Sequence, residues 1–478
     1  AWWKTTEQQQ RSSCVACQIS VCVTQKHKPK SMPFHLRTSK FRHAFCDPPK
    51  PEQCFTDMRI ATVTGDQQYI KASAKYFSLS LAGGGGPIMV GRLDRPGRFA
   101  RGTSQMVMGH TGAVLDTDWN PFDDTMFASA SEDTTIKIWA VPDDWEPTDE
   151  NGHAKQGEPL TESLADLSGH GKKVTLLRYH PSASNIILST SADCTVKVWD
   201  IEKGEAVTTA DVPDLTHDIV WDTRGDLYAS SCKDKVVRVL DGRQSSIVST
   251  IDPAHEGSKS TKIVFLGESG KVLTCGASKT SAREVKIWDL KNLAKPLHTE
   301  TIDTASGALI PLYDHDTNVV YLCGKGDGQI RLFEFEDKDP YFHKLNDGFR
   351  STQPTKGVCM VPKRGLEVMA HETARLMKLT NSQGVHPLRF FVPRKSDAFQ
   401  EDIYPDCPAP SPAHSGAEWM GGSSKLPLTM SLNPAHAGGG AKKKVFKTVT
   451  QLSKELDDAH KRIEYLEGKL KENSIAFD

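Results

Sequence analysis

Two stretches of this chain each carry the three side-chain types of a catalytic triad. The two sets are His110, Ser129 and Asp133, and His170, Ser189 and Asp193. In a hydrolase, the histidine takes the serine proton and the aspartate orients the histidine. Neither serine lies in a Gly-x-Ser-x-Gly nucleophile elbow. Because the set recurs along the chain, we interpret it as structural, and we expect no enzymatic activity, no cofactor and no metal site.

The two sets belong to a longer repeat. Short apolar runs recur at intervals of 41 to 60 residues, and the longest interval contains an acidic, turn-rich insertion at 142–160. The runs are IMV (88–90), IKIW (136–139), VKVW (196–199), VRVL (237–240), VKIW (285–288), IRLF (330–333) and ARLM (374–377). The period and the Gly-His and Trp-Asp markers resemble the WD-repeat family. Because each run ends one repeat, the seven runs predict an all-β, seven-bladed propeller.

The WD-repeat resemblance gives the polar residues a structural role. In that family, matching positions form a buried chain of hydrogen bonds from His to Ser, then Asp, then Trp. The resemblance implies one such network in each of two blades: His110, Ser129, Asp133 and Trp139, and His170, Ser189, Asp193 and Trp199. Blades four to seven depart from the pattern, for example at Leu240, Cys323 and Phe333. We expect packing, more than polar networks, to hold those blades together.

Charge is balanced over the whole chain but not along it. The sequence has 59 Lys and Arg against 60 Asp and Glu, so no overall field attracts nucleic acid. Residues 26–50, however, carry seven Lys or Arg against one Asp, interleaved with Phe34, Phe41 and Phe45. This pattern favours a patch for phosphate or an acidic protein surface. No run reaches the ~18–20 apolar residues of a membrane span, and the scattered cysteines are typical of a reducing compartment.

Three blocks at the edges of the repeat region resemble the coronins, a family of actin-binding WD-repeat proteins. They are SKFRHAF (39–45), QCFTDMRI (53–60) and PRKSDAFQEDIYPD (393–406). A generic WD repeat lacks the opening block and the PRKSD block. The resemblance implies F-actin as a partner, bound through the propeller.

The actin contacts of the family can be matched to single positions. The arginine of the family's D-I-R-V element corresponds to Arg59, and Lys40 and Arg42 are further candidates on the same surface. For Arg42 and its neighbour His43, an alternative remains open: strand pairing in which this segment completes the last blade.

A heptad pattern near the end of the chain predicts a helical coiled coil. Position a is held by Val449, Leu456, Ile463 and Leu470, and position d by Leu452, Ala459 and Leu466. The run from Arg462 to Glu467 resembles the short trimer motif of coronin tails. The resemblance implies a homotrimer, with dimer and tetramer as alternatives.

These observations divide the chain into five segments. Residues 1–31 are interpreted as a disordered or artefactual leader, with translation expected to begin at Met32. The propeller is predicted over 32–380, and an extension packed against it over 381–432. A short linker (433–444) and the coiled coil (445–473) follow.

The predicted function is that of a cytoskeletal regulator. The resemblance implies that the protein binds actin filaments, cross-links or organises them through its coiled coil, and modulates the actin-related-protein nucleating complex. It would act in the cytoplasm, at the actin cytoskeleton and the cell cortex. The alternative is a general WD-repeat scaffold in signalling or membrane trafficking, which the repeats alone would support.

Overall fold

The computed structural model describes residues 39–58, 60, 67–99, 105–142, 158–382, 384–436, 456 and 460–463. All structural statements below concern these residues. Among them, no helix is long and apolar enough to cross a membrane.

Six antiparallel four-stranded sheets, blades 1 to 6, follow one another along the chain. The strands of blades 1 to 3 are Ile70–Ala72, Tyr76–Ser80, Ile88–Arg92 and Gln105–Val107; Val114–Trp119, Met126–Ser131, Ile136–Ala140 and Ala165–Leu167; and Val174–Tyr179, Ile186–Ser191, Thr195–Asp200 and Glu205–Asp211. Those of blades 4 to 6 are Thr216–Trp221, Leu227–Cys232, Val237–Asp241 and Ile247–Ile251; Lys262–Phe265, Lys271–Ala277, Arg283–Asp289 and His298–Asp303; and Leu309–Asp314, Val319–Gly324, Gln329–Phe335 and Phe342–Arg350.

Blade 7 is built from both ends of the propeller. Its first three strands are Thr355–Met360, Glu372–Thr380 and Val385–Phe391, and its outer strands come from the N-terminal side: Phe45–Cys46, Phe55–Thr56 and Gly97–Arg98. Phe45 pairs with Phe391, and Phe55 pairs with Val385. The N-terminal segment therefore closes the ring.

The first strands of the seven blades contact one another in an unbroken circle. The predicted all-β, seven-bladed propeller is confirmed. Each third strand buries most of its apolar residues between neighbouring blades: in the third strand of blade 2, Ile136, Ile138 and Trp139 are fully buried, whereas Lys137 is half-buried. We call the face with the turns between second and third strands the upper face, and the opposite face the lower face.

Two predictions about the last blade are wrong. The run ARLM at 374–377 lies in the second strand of blade 7, not in its third. The reason is an insertion between the first and second strands, which contains the 3₁₀ helices Lys363–Gly365 and Val368–Ala370. The propeller therefore does not end at residue 380, since its third strand runs on to Phe391.

The extension beyond Phe391 packs against the propeller. Ile403, Tyr404 and Cys407 are buried, and Cys407–Pro408 pairs with Thr429–Met430 in a small hairpin. Within that hairpin lies the one α-helix described before residue 437, Gly416–Met420. The other 3₁₀ helices are Pro51–Gln53 and Pro434–His436.

Trp419 anchors the extension to the lower face between blades 3 and 4. Its side chain is fully buried, and its ring lies 4.7 Å from that of His180 and 5.9 Å from that of Trp221. The Arg243 guanidinium stacks 4.9 Å from the Trp419 ring and donates a hydrogen bond of 2.7 Å to the Trp419 carbonyl. Ser415 caps the helix by accepting from the amide of Glu418.

The predicted linker and coiled coil lie mostly outside the described residues. Of the predicted linker, Asn433 and the exposed 3₁₀ helix Pro434–His436 are described. Of the predicted coiled coil, Leu456 and His460–Ile463 are helical. Leu456 is 56% exposed and Ile463 is 51% exposed. The predicted oligomerisation residues Val449, Leu452, Leu466, Glu467 and Leu470 lie outside the described residues, whereas Arg462 is helical and exposed.

We predict that Trp419→Ala lowers the free energy of unfolding by about 3–5 kcal/mol, because it empties a fully buried indole site. Leu426→Ala is the matched control, since Leu426 lies on the same extension but is 42% exposed. Guanidinium denaturation of both variants measures the difference. Equal losses would contradict the anchoring role of Trp419.

Candidate functional site

The polar set of blade 2 forms a continuous chain of hydrogen bonds. The Trp139 indole donates to Ser129 Oγ (2.8 Å), and Ser129 Oγ lies 2.7 Å from His110 Nε2. His110 Nδ1 lies 2.8 Å from Asp133 Oδ2. An ionised Asp133 requires the Nδ1 proton, so the Ser129 hydroxyl donates to Nε2. The chain therefore runs Trp–Ser–His–Asp, with tryptophan at the serine end rather than next to aspartate.

Blade 3 repeats this geometry almost atom for atom. Trp199 donates to Ser189 Oγ (2.8 Å), which lies 2.8 Å from His170 Nε2, and His170 Nδ1 lies 3.1 Å from Asp193 Oδ2. Ser189 is fully buried, as is Ser129 of blade 2. In both blades the serine hydroxyl already accepts a hydrogen bond from the tryptophan indole. A substrate cannot reach either serine, so these sets hold strands together.

The protonation states fit this structural role. Burial lowers the pKa of His170, although Asp193 partly offsets the effect. Burial raises the pKa of Asp193, but hydrogen bonds from Thr195 and the Gly171 amide outweigh it and lower that pKa to about 2. A neutral histidine thus stays hydrogen-bonded to an ionised aspartate throughout the neutral range.

Blade 5 contains a third network that the sequence analysis missed. His255 lies 2.9 Å from both Thr274 Oγ1 and Glu284 Oε1, and the Trp288 indole donates to Thr274 Oγ1 at 2.9 Å. The expectation that packing, more than polar networks, holds blades four to seven together therefore overlooked the network of this blade. Thr274 stands fourteen positions before Trp288 instead of ten, because the hairpin of the second and third strands is four residues longer: Thr274 pairs with Lys286, whereas Ser129 pairs with Lys137. The signal available in the sequence was His255, in the stretch AHEGSK at 254–259.

The segment that closes the ring displays cations on its outer side. Phe41 and Ala44 are buried in the core shared by blades 6 and 7, whereas Lys40 before them and Arg42 and His43 between them are exposed. We call these three exposed residues the closure corner. The closure corner is held firmly: Lys40 donates to the Asp402 carbonyl (3.0 Å), and the Asn346 amide donates to the Arg42 carbonyl (3.2 Å).

The predicted contact residue Arg59 lies outside the described residues. Its chain neighbours Met58 and Ile60 are buried. One residue further, Asp57 accepts a 2.7 Å hydrogen bond from Arg98, which is exposed. Of the predicted actin-binding residues, the structure therefore places Lys40 and Arg42 together. Arg42 lies just before the ring-closing strand, which begins at Phe45, and His43 lies outside that strand as well.

The central channel is a second charged site in the described part of the propeller, apart from the closure corner. It encloses about 450 Å³ and is lined by first strands. Most of its charges are paired with carboxylates: Lys71 pairs with Asp118 at 3.5 Å, and Arg178 pairs with Asp116 at 2.8 Å and Asp218 at 3.5 Å. These ion pairs join neighbouring blades, so they serve the ring more than a ligand.

Comparison with known proteins decides the family. The chain is 36% identical over 408 residues to human coronin-2A, covering 83% of this chain and 75% of that protein. The chain belongs to the coronin family. It is also 37% identical over 414 residues to coronin-like protein crn1 of Schizosaccharomyces pombe, covering 86% of this chain and 66% of the yeast protein.

Domain and structure comparisons agree with this assignment. A domain of unknown function, DUF1899, matches residues 34–98, across the ring closure. WD domain, G-beta repeats match 102–140 and 161–200, and a further type of WD40 repeat matches 385–427. The crystal structure of the WD40 domain of Toxoplasma gondii coronin is 31% identical, with a TM-score of 0.76 over 82% of this chain and 98% of that one.

We predict that the stability cost of His170→Gln shrinks as pH falls from 7 to 5. Below about pH 6.5, the usual pKa of histidine, His170 binds a proton in the unfolded chain. In the folded chain it stays neutral, because burial lowers its pKa. The wild type therefore loses stability on acidification, while the variant is spared this loss.

Ser78→Ala is the control for this pH effect. Ser78 accepts from the Trp119 indole (3.1 Å) and bonds Thr117 (2.8 Å), in a network without histidine. Its stability cost should stay constant over the same pH range in chemical denaturation. A constant cost for His170→Gln as well would contradict the assigned neutral state.

Proposed function

We propose that this coronin binds actin filaments through the ring-closing edge of blades 7 and 1. The observation that carries the proposal is the closure corner: its cations stand on a segment whose neighbouring residues are locked into the core. A cationic surface held in a fixed geometry suits an acidic partner, because little conformational entropy is lost on binding. Arg59, Lys40 and Arg42 are the proposed contact residues, and family membership supports actin as the partner.

The helix over 445–473 would gather several propellers into one assembly, which we propose to be a homotrimer. Linked binding sites multiply weak contacts, so filaments would be bound with avidity and cross-linked. The exposure of Leu456 and Ile463 in the single chain supports this role, because both are apolar side chains at position a. Through the assembled tail, the protein would also modulate the actin-related-protein nucleating complex at the cell cortex, in cell migration and endocytosis.

Arg59→Asp should weaken co-sedimentation with actin filaments by roughly tenfold, or ~1.4 kcal/mol, since an attraction across the interface becomes a repulsion. Lys291→Asp is the control, because Lys291 is an exposed cation on blade 5, away from the closure corner. Pelleting that falls equally in both variants would refute a specific role for Arg59.

Ile463→Asp should convert the assembly into monomers in analytical ultracentrifugation at micromolar concentration, because a charge at position a disrupts the helix seam. Lys461→Asp, at the outward-facing position f, should leave a trimer. Removing residues 442–478 should likewise give monomers that pellet less with filaments. A full-length chain that sediments as a monomer would contradict the assembly, while a monomer that pellets normally would contradict avidity alone.

A further inference from the structure

A charged cavity lies on the upper face at the seam between blades 5 and 6. It encloses about 580 Å³. Arg283 and Asp303 enter it from blade 5, and Asp327 and Arg331 enter it from blade 6. Arg350, at the end of the fourth strand of blade 6, stands at its rim and is 69% exposed. None of these residues belongs to the closure corner.

The two carboxylates of the cavity already have their donors. Asp303 Oδ1 accepts from Arg283 Nε (2.6 Å) and the Ala305 amide (3.0 Å), and its Oδ2 accepts from Arg283 Nη2 (2.6 Å) and Arg331 Nη2 (2.7 Å). Asp327 accepts from Arg283 through one oxygen (2.7 Å) and from the Gln329 amide through the other (2.9 Å). Burial raises the pKa of Asp303, but these arginine bonds outweigh it and keep that pKa low.

The donors of the cavity are not all used. Arg331 Nη1 is buried and has no hydrogen-bond partner among the described residues, and its separation from Asp327 Oδ2 is 4.0 Å. A buried donor without an acceptor costs free energy that a bound acceptor would recover. Arg283 and Arg331 balance the two aspartates. At the rim, Arg350 pairs with Asp347 at 3.4 Å, but Asp347 is also paired with Lys344 at 2.7 Å, so this one carboxylate does not balance both cations. The cavity therefore lacks an acceptor and favours a small negative charge.

We propose that this cavity binds a carboxylate, presented by an acidic side chain on the surface of a partner protein. The carboxylate would accept from Arg331 Nη1 at the cavity wall and from Arg350 at the rim, a charge-assisted pairing that guanidinium groups favour. Phosphate is disfavoured, because its second negative charge would face Asp303 and Asp327 in the same wall. The site goes beyond the filament-binding proposal and does not depend on it.

Fluorescence polarisation with a fluorescein-labelled hexaglutamate peptide tests the site in the full chain at low ionic strength, with hexaglutamine as the neutral probe. Arg350→Gln should weaken hexaglutamate binding about fivefold. Lys344→Gln is the matched control and should leave binding unchanged. Lys344 also pairs with Asp347, at 2.7 Å, but only Arg350 lines the cavity.

Arg331→Lys is the second variant, since it keeps the positive charge but removes the guanidinium nitrogens. It should weaken hexaglutamate binding as well, with an unchanged unfolding midpoint as the check on folding. The proposal is overturned if hexaglutamate does not bind, or if Arg350→Gln and Lys344→Gln weaken it equally. It is also overturned if inorganic phosphate displaces the peptide better than acetate does at equal ionic strength.

Discussion

The propeller depends on the pairing of its N-terminal segment with the third strand of blade 7. Phe55 is fully buried at this junction, with its ring 4.8 Å from that of Phe77 in blade 1. Without the segment, Val385–Phe391 would become an open sheet edge, and the seam between blades 7 and 1 would lose part of its core. Closure removes that edge and joins the two ends of the repeat region in one sheet.

Ring closure also explains why the proposed filament surface lies where it does. A segment that must bury Phe41 and Ala44 to close the ring leaves the residues next to them facing outward. In this chain those residues are Lys40, Arg42 and His43. The cations are thus presented on a backbone that cannot move without opening the propeller, and the same segment combines a structural and a recognition role.

The periodic features of the fold were predictable from sequence, and the irregular ones were not. Fixed spacing located the strand endings of blades 1 to 6 and the polar residues of blades 2 and 3, because a four-stranded blade repeats its geometry. The same reasoning misplaced ARLM, because an insertion precedes its strand, and overlooked His255 and Thr274, because the hairpin of blade 5 is longer. Spacing arguments assume constant turns, and hydrogen bonds depend on where the strands finally lie.

Of the functional surfaces, one was likewise predictable from sequence and the other was not. Family-specific blocks predicted Lys40, Arg42 and Arg59, although Arg59 and most of the heptad positions lie outside the described residues. The carboxylate-binding cavity had no sequence signal, because Arg283, Asp303 and Arg331 come from separate strands of two blades. Only the folded seam brings them together, and only a count of donors and acceptors shows that Arg331 Nη1 has no hydrogen-bond partner among the described residues.

Electron cryo-microscopy of actin filaments decorated with this coronin would test the central claim most directly. The account predicts that the propeller contacts the filament through the edge of blades 7 and 1, with density connecting residues 39–60 to the actin surface. A propeller that contacts the filament only through blades 3 and 4, with this edge facing solvent, would contradict it.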